Sequence, residues 1–287
     1  MKRIILTILT VLIAINLYAQ RNVPGDYEIG FSVSGGLSAL HFTTVNDNQS
    51  SPSFGYGFGW DVAVLFTEQW SLRTGLNMAS YQASVIFDRQ ETRSHVTPKP
   101  QGLSDFSDPF YIIAKYSGYE ERHEALYLRF PLMVQYRMAK YFYAAAGIQA
   151  GILTNGSYRI KSDGLVTEGY SEYTMQPYEG MHGFDNHLDV KSAKKPDFGF
   201  ALSGAFETGV RWGFNNGMAL YTGVFLDYCL NDVRKGNPKK ESIVYNEEGK
   251  HTFNSILYSQ NEEKPMTGKV QPLAVGLRLR LSMGFGN

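Results

Sequence analysis

Cysteine is nearly absent: Cys229 is the single one in 287 residues, so no intrachain disulfide can staple the fold. Charge is also scarce, at 19% of residues, and the 27 basic side chains are matched by 27 acidic ones. With no basic excess, nothing favours nucleic acid as a partner. Beyond the N-terminus no run approaches the ~18 consecutive apolar residues of a membrane-crossing helix, which excludes a helical membrane protein. Catalytic signatures are missing too: there is neither a Gly-x-Ser-x-Gly elbow nor a His-Glu-x-x-His pair. What is plentiful is Tyr (19), Phe (18) and Gly (29), a composition that favours strands facing something apolar.

The first 19 residues read as a secretory signal peptide, leaving 20–287 as one barrel domain. Lys2 and Arg3 form a charged start, Ile4 to Leu17 an apolar run, and Ala19 a small residue before the cleavage point at Gln20. The run is shorter than the ~20 residues of a spanning helix, and no cysteine follows it to carry a lipid anchor.

The mature chain is dominated by period-two alternation, which is the period of a strand. In Phe54–Thr67 the even positions are Phe54, Tyr56, Phe58, Trp60, Val62, Val64 and Phe66, all large and apolar. The odd positions are Gly55, Gly57, Gly59, Asp61, Ala63, Leu65 and Thr67, mostly small or polar. The same alternation predicts strands over Tyr27–Leu40, Trp70–Phe87, Glu124–Arg137, Tyr141–Leu153, Asp197–Trp212, Met218–Leu230 and Lys269–Phe285. These segments exceed the ~5–6 residues usual in soluble sheets and suit a tilted strand with ~9–11 residues in hydrocarbon. Long and short connections alternate: Glu68-Gln69, Met138–Lys140 and Asn215-Asn216-Gly217 are tight, and the others are long. The prediction is an all-β, eight-stranded, antiparallel up-and-down transmembrane β-barrel with long extracellular loops and short periplasmic turns. It sits in a bacterial outer membrane, against outer-membrane lipid, with both mature termini periplasmic.

Aromatic residues cluster at both ends of the outward face. Tyr27, Phe66, Trp70, Tyr136, Phe142, Trp212 and Phe285 lie near the short turns, and Phe54, Tyr56, Phe198, Phe200 and Tyr228 near the long loops. They are expected to form membrane-interface girdles. The inward set contains Glu28, Asp61, Arg73, Arg129, Arg137, Glu207, Arg211, Asp227, Arg278 and Arg280. An eight-stranded barrel is only wide enough to be filled by side chains, so these charges are expected to pair in a polar network. That network reads either as a plug or as a narrow, anion-leaning conduit.

The loops carry Tyr111, Tyr116, Tyr119, Tyr158, Tyr170, Tyr173, Tyr178, Tyr245 and Tyr258, a composition suited to recognition. Phe110–Ile113 and Ser242–Tyr245 are β-prone and predict hairpins beyond the membrane. If a catalytic group existed, His123, Glu124 and His41 would be the candidates at the outer strand ends. His182 and His187 have a metal-like spacing but no partner set. No enzyme activity, metal or cofactor is expected. Pro131 removes a ladder donor in mid-strand, which predicts a bulge or kink.

The run Tyr127-Leu128-Arg129-Phe130-Pro131-Leu132, with Gln135-Tyr136-Arg137, resembles a motif of the PorT-like outer-membrane barrels of Bacteroidetes. Ala146-Gly147, Asp197-Phe198-Gly199, Val275-Gly276-Leu277-Arg278-Leu279 and the Ala19-Gln20 signal end are also similar to that family. Arg129 departs from it, because the family often carries an acid there. The resemblance covers the strands and not the loops. It implies the barrel, and a role among envelope or secretion proteins, without fixing an activity.

Overall fold

The computed structural model describes residues 27–43, 51–95, 110–138, 141–171, 175–178, 186–194, 196–214, 217–236, 240–245, 251–261 and 264–285. The proposed signal peptide and its cleavage point lie outside them. Eight strands form the ring: β1 (Tyr27–His41), β2 (Ser51–Leu65), β3 (Trp70–His95), β4 (Phe110–Arg137), β5 (Phe142–Ser171), β6 (Ala201–Gly213), β7 (Met218–Cys229) and β8 (Gln271–Phe285). Each pairs antiparallel with the next, and β8 returns to β1 with Tyr27 opposite Phe285 and His41 opposite Gln271. The sheet therefore closes on itself as an up-and-down β-barrel. The three tight turns and both described chain ends lie at the same end of it.

The two faces sort as the alternation demands. In β2, Phe54, Tyr56, Phe58, Trp60 and Val62 are exposed, while Gly55, Gly57, Gly59, Asp61 and Ala63 are buried. Leu132, Val134, Ile148, Phe206, Val224, Leu277 and Leu281 continue the outward apolar surface around the ring. Such a surface, with large hydrophobics exposed on every strand, is unfavourable in water and suited to hydrocarbon. The inward glycines make room for the side chains that fill the barrel. A Cβ on Gly59 would meet Asn77 Oδ1 at 1.8 Å.

Three strands are far longer than the sequence pattern predicts. β3, β4 and β5 run 26, 28 and 30 residues. Only ~9–11 residues are needed in the hydrocarbon, so these strands rise well beyond it as a sheet on the side opposite the tight turns. Much of what reads as loop after Phe87, before Glu124 and after Leu153 is therefore strand, and Phe110–Ile113 is the start of β4. The cause is a switch of facing. Inward residues are odd-numbered up to Phe87 in β3 and then even, Thr92 and Ser94. In β4 they change from Ile112, Ala114 and Tyr116 to Tyr119, Glu121 and His123. In β5 they change from Tyr158, Ile160 and Ser162 to Leu165 and Thr167. Gly118, at φ +58°, makes the switch in β4. The pairing keeps one register across it, Phe87 opposite Tyr119 and Arg89 opposite Ser117, so adjacent strands invert together. Residues Asn186–Lys194 add a further strand along the outer part of β5.

Pro131 produces no bulge. Thr74 faces Leu132 and Asn77 faces Arg129 in one continuous register, with two pairs lost between them. Thr74 Oγ1 donates to the Pro131 carbonyl at 2.9 Å across that gap. The irregularity in β4 lies instead at Leu126/Tyr127, on its β5 side. The sixth strand begins at Ala201 and not at Asp197; Phe198, placed in the outer girdle by the sequence pattern, is buried and bridges to Arg234.

Replacing Val62, an outward residue 37% exposed between the girdle residues Phe54 and Phe66, by Arg is expected to cost about 2–4 kcal/mol. Equilibrium unfolding from lipid bilayers measures it; an unchanged midpoint would show that this face does not contact hydrocarbon.

Candidate functional site

Two features occupy the axis of the barrel: a charged network in the lumen, and an apolar seal above it. The alternation of β1, β2, β3, β4, β6, β7 and β8 aims all the lumen charges inward. Glu207 is fully buried and takes Arg73 at 2.5 Å, Arg278 at 2.8 Å and the Tyr143 hydroxyl at 2.8 Å. Asp227 takes Arg129 at 2.7 Å and Gln149 Nε2 at 2.8 Å, with Arg278 also 3.7 Å away. Arg129 further donates to the Tyr81 hydroxyl at 3.0 Å. Asp61 is buried within the electrostatic field of Arg73. Arg280 donates to Gln135 Oε1 at 2.8 Å and lies 3.9 Å from the centre of the Tyr221 ring. At the short-turn mouth Glu28 is paired with Arg137, lies 3.8 Å from Arg211 and accepts from the Tyr221 hydroxyl at 2.7 Å.

All ten charged residues expected inside thus face the lumen, with Arg137 and Arg211 only partly buried at its mouth. The structure adds neutral partners that the charge pattern alone misses: Tyr81, Tyr143, Tyr221, Gln135 and Gln149. Their signal was available, because each occupies an inward position of the same alternation. Of the girdle residues, Tyr27, Phe54, Tyr56, Phe66, Trp70, Trp212 and Phe285 are exposed on the outward face. Tyr136 is partly covered by Trp70, with ring centroids 4.5 Å apart.

Above the network the lumen turns apolar. Leu40, Tyr127 and Cys229 are buried across it, and over them folds the connection between β7 and β8. Within that connection Ile243–Tyr245 pairs with His251–Phe253, and Ile256–Tyr258 forms a 3₁₀ turn. Ile256, Leu257, Tyr258 and Met266 pack against Phe87, Tyr116, Tyr119, Tyr158 and Ile160 of the extended strands, in one continuous core. Arg234 fastens the turn from below, donating to the Leu257 carbonyl at 2.9 Å while pairing with Asp232 at 2.7 Å. A cavity of about 10 Å³ under this cap, lined by Thr92, Tyr116 and Ile256 among others, has room for a single water at most.

The cap corrects two expectations. Tyr116, Tyr119, Tyr158 and Tyr258 are 4–6% exposed core residues and offer no recognition surface. Tyr111 and Tyr170 are partly buried, and the side chains of Tyr173, Tyr178 and Tyr245 lie outside the described residues. His123, Glu124 and His41 form no constellation either. His123 is buried and its partner is Glu121, at 2.7 Å, on the same face two residues away; Glu124 points outward. Glu121 also accepts from the Tyr119 hydroxyl and from the Ile256 amide at 3.1 Å, so it ties β4 to the cap. Burial pushes the Glu121 carboxyl up, but the His123 charge and bonds from His123, Ser255 and Tyr119 outweigh it and hold the group below the ordinary carboxylate value. The Tyr119 hydroxyl is pushed well up by burial and by that carboxylate. Among the described residues no cluster of His, Cys, Asp or Glu could hold a metal ion; His182 lies outside them.

A closed ring with an apolar exterior, a paired polar interior and short turns at one end defines a transmembrane β-barrel of the bacterial outer-membrane class. Residues 18–232 match the model of the outer membrane protein beta-barrel domain family, and the chain belongs to that family. Similar solved structures include Ail of Yersinia pestis, the attachment invasion locus protein, at 10% identity over 92% of this chain and 100% of that one, TM-score 0.31. Neisserial surface protein A is 9% identical over 91% and 97%, TM-score 0.33. A major outer membrane protein of Thermus thermophilus is 8% identical over 90% and 99%, TM-score 0.40. At these scores none of their properties carries over. Among curated proteins no match is found.

Two outcomes follow from this geometry. Glu207→Ala leaves Arg73 and Arg278 buried without their shared carboxylate and is expected to cost about 3–5 kcal/mol, read as a lower urea midpoint of the refolded barrel. A midpoint within error of wild type would mean that the pairs are not formed. The cap should be acid-labile. Because Glu121 is held below the ordinary value, its contribution is full above the ordinary carboxylate range and is lost as pH falls through the lowered value. Hydrogen exchange at Ile256–Tyr258, corrected for intrinsic rates, should rise only at that acid step, and Glu121→Gln should remove the step.

Proposed function

We propose that the protein is a non-conducting, non-catalytic outer-membrane barrel that displays a rigid extracellular sheet to partner proteins of the envelope. Its termini lie in the periplasm. The observation that carries this reading is the double closure of the axis: a lumen filled by the Glu207 and Asp227 networks, and a cap whose Ile256–Tyr258 turn is buried among the tyrosines of β4 and β5. Investment in strands that rise far past the hydrocarbon supports display over transport. The resemblance of Tyr127–Leu132 to the PorT-like motif makes secretion components the first partners to test.

The other reading, a narrow anion-leaning conduit, draws on the excess of arginine in the lumen. It needs both the network and the cap to open. Planar-bilayer recordings separate the two: the folded wild-type barrel should be silent under applied voltage, whereas stepwise conductance would overturn the proposal. Mild-detergent copurification from the native envelope should recover a defined partner. Recovery of the barrel alone, with a silent deletion phenotype, would count against a role in assembly.

A further inference from the structure

The charges inside the lumen do not balance. Arg73, Arg129, Arg278 and Arg280 are buried there against Asp61, Glu207 and Asp227, four positive against three negative, which leaves one positive charge over. Glu28 is buried as well but does not redress this: at the mouth it faces both Arg137 and Arg211, whose side chains are partly open to solvent, so the count holds for the lumen away from the mouth. A guanidinium does not shed its proton, and an uncompensated charge inside a barrel in hydrocarbon is costly.

The surplus localises at Arg280. Arg73 and Arg278 share Glu207, and Arg129 holds Asp227, whereas Arg280 bonds to a neutral amide and an aromatic face. That amide has a forced orientation. Arginine can only donate, so Gln135 must turn its oxygen to Arg280 and its Nε2 elsewhere. Gln135 is fully buried, and its Nε2 finds no acceptor. Ser71 stands directly opposite Gln135 in the β3–β4 register, is 2% exposed, and its Oγ has no partner. Arg280 Nε also lacks an acceptor. Three unanswered donor groups on neighbouring inward side chains therefore coincide with the one deep-lumen arginine that touches no carboxylate. Water would satisfy the donors but leave the charge; a single negative charge answers both.

We propose that the lumen holds one small monovalent anion of the halide class, bound by Arg280, Gln135 Nε2 and Ser71 Oγ. A dianion would overshoot the single surplus charge, and a lumen packed with side chains favours a monatomic ligand. The site is a fixed part of the fold and is independent of whether the barrel conducts.

The probe is bromide. Crystals of the full barrel grown in sodium bromide should give an anomalous peak beside Gln135 Nε2; a water there without an anomalous signal overturns the proposal. In solution, the thermal midpoint of the detergent-folded barrel should climb with each tenfold rise in chloride when gluconate keeps ionic strength constant. Arg280→Gln removes the surplus charge and should abolish that dependence. An equal chloride response in wild type and Arg280→Gln would also overturn it. If that variant fails to fold, the bromide map of the wild-type protein decides alone.

Discussion

Inside hydrocarbon no backbone amide can turn to water, and this one constraint governs the molecule. The pairing of β8 with β1 is what satisfies it. Tyr27 opposite Phe285 and His41 opposite Gln271 leave no free edge in the ring. Closing the sheet fixes which residues face out and which face in. The outward set then has to be apolar and the inward set has to fill a narrow tube. The arginine–carboxylate network follows from the second requirement. Polar residues that face away from lipid have only each other to bond with, and Glu207 and Asp227 each gather several donors for that reason.

The tube is closed by different chemistry at its two levels. Within the membrane the fill is ionic and hydrogen-bonded, while above it the fill is an ordinary apolar core. The extended β3–β5 sheet needs that core, because its inward face has left the ring and would otherwise expose Phe87, Ile112 and Leu165. The cap between β7 and β8 supplies the missing cover. Glu121 is the point where the two kinds of packing meet: a buried carboxylate held by His123 below and by the Ile256 amide above.

The membrane portion was legible in the sequence because lipid and lumen impose opposite demands on alternate residues, so Phe54–Val62 and Leu273–Phe285 announce their facing directly. The lumen charges, Arg73, Arg129, Glu207 and Asp227 among them, could be assigned together from parity alone. The sheet beyond the membrane was hidden for a physical reason. There both faces are mixed, and the parity of β3, β4 and β5 inverts near Gly118, so a pattern search loses phase where the strands in fact continue. The cap was hidden because nothing local marks Ile256–Tyr258 as core; its burial depends on tyrosines far away in the chain. Pro131 misled in the other direction, since a missing donor can be tolerated by a silent stretch of ladder without any bulge.

The order of segments along the chain carries a consequence for assembly. The capping connection is made before β8 and after β7, and β8 must find a partner at the opposite end of the chain. Ring closure is therefore the most non-local event in folding, with a correspondingly large loop-closure penalty and a slow rate. The cap, tethered at Cys229 and Gln271 to the two strands flanking it, is in place to dock as the last seam zips. A chain truncated before Gln271 would lose the seam and one anchor of the lid together, so insertion into the membrane and sealing of the axis succeed or fail as one event.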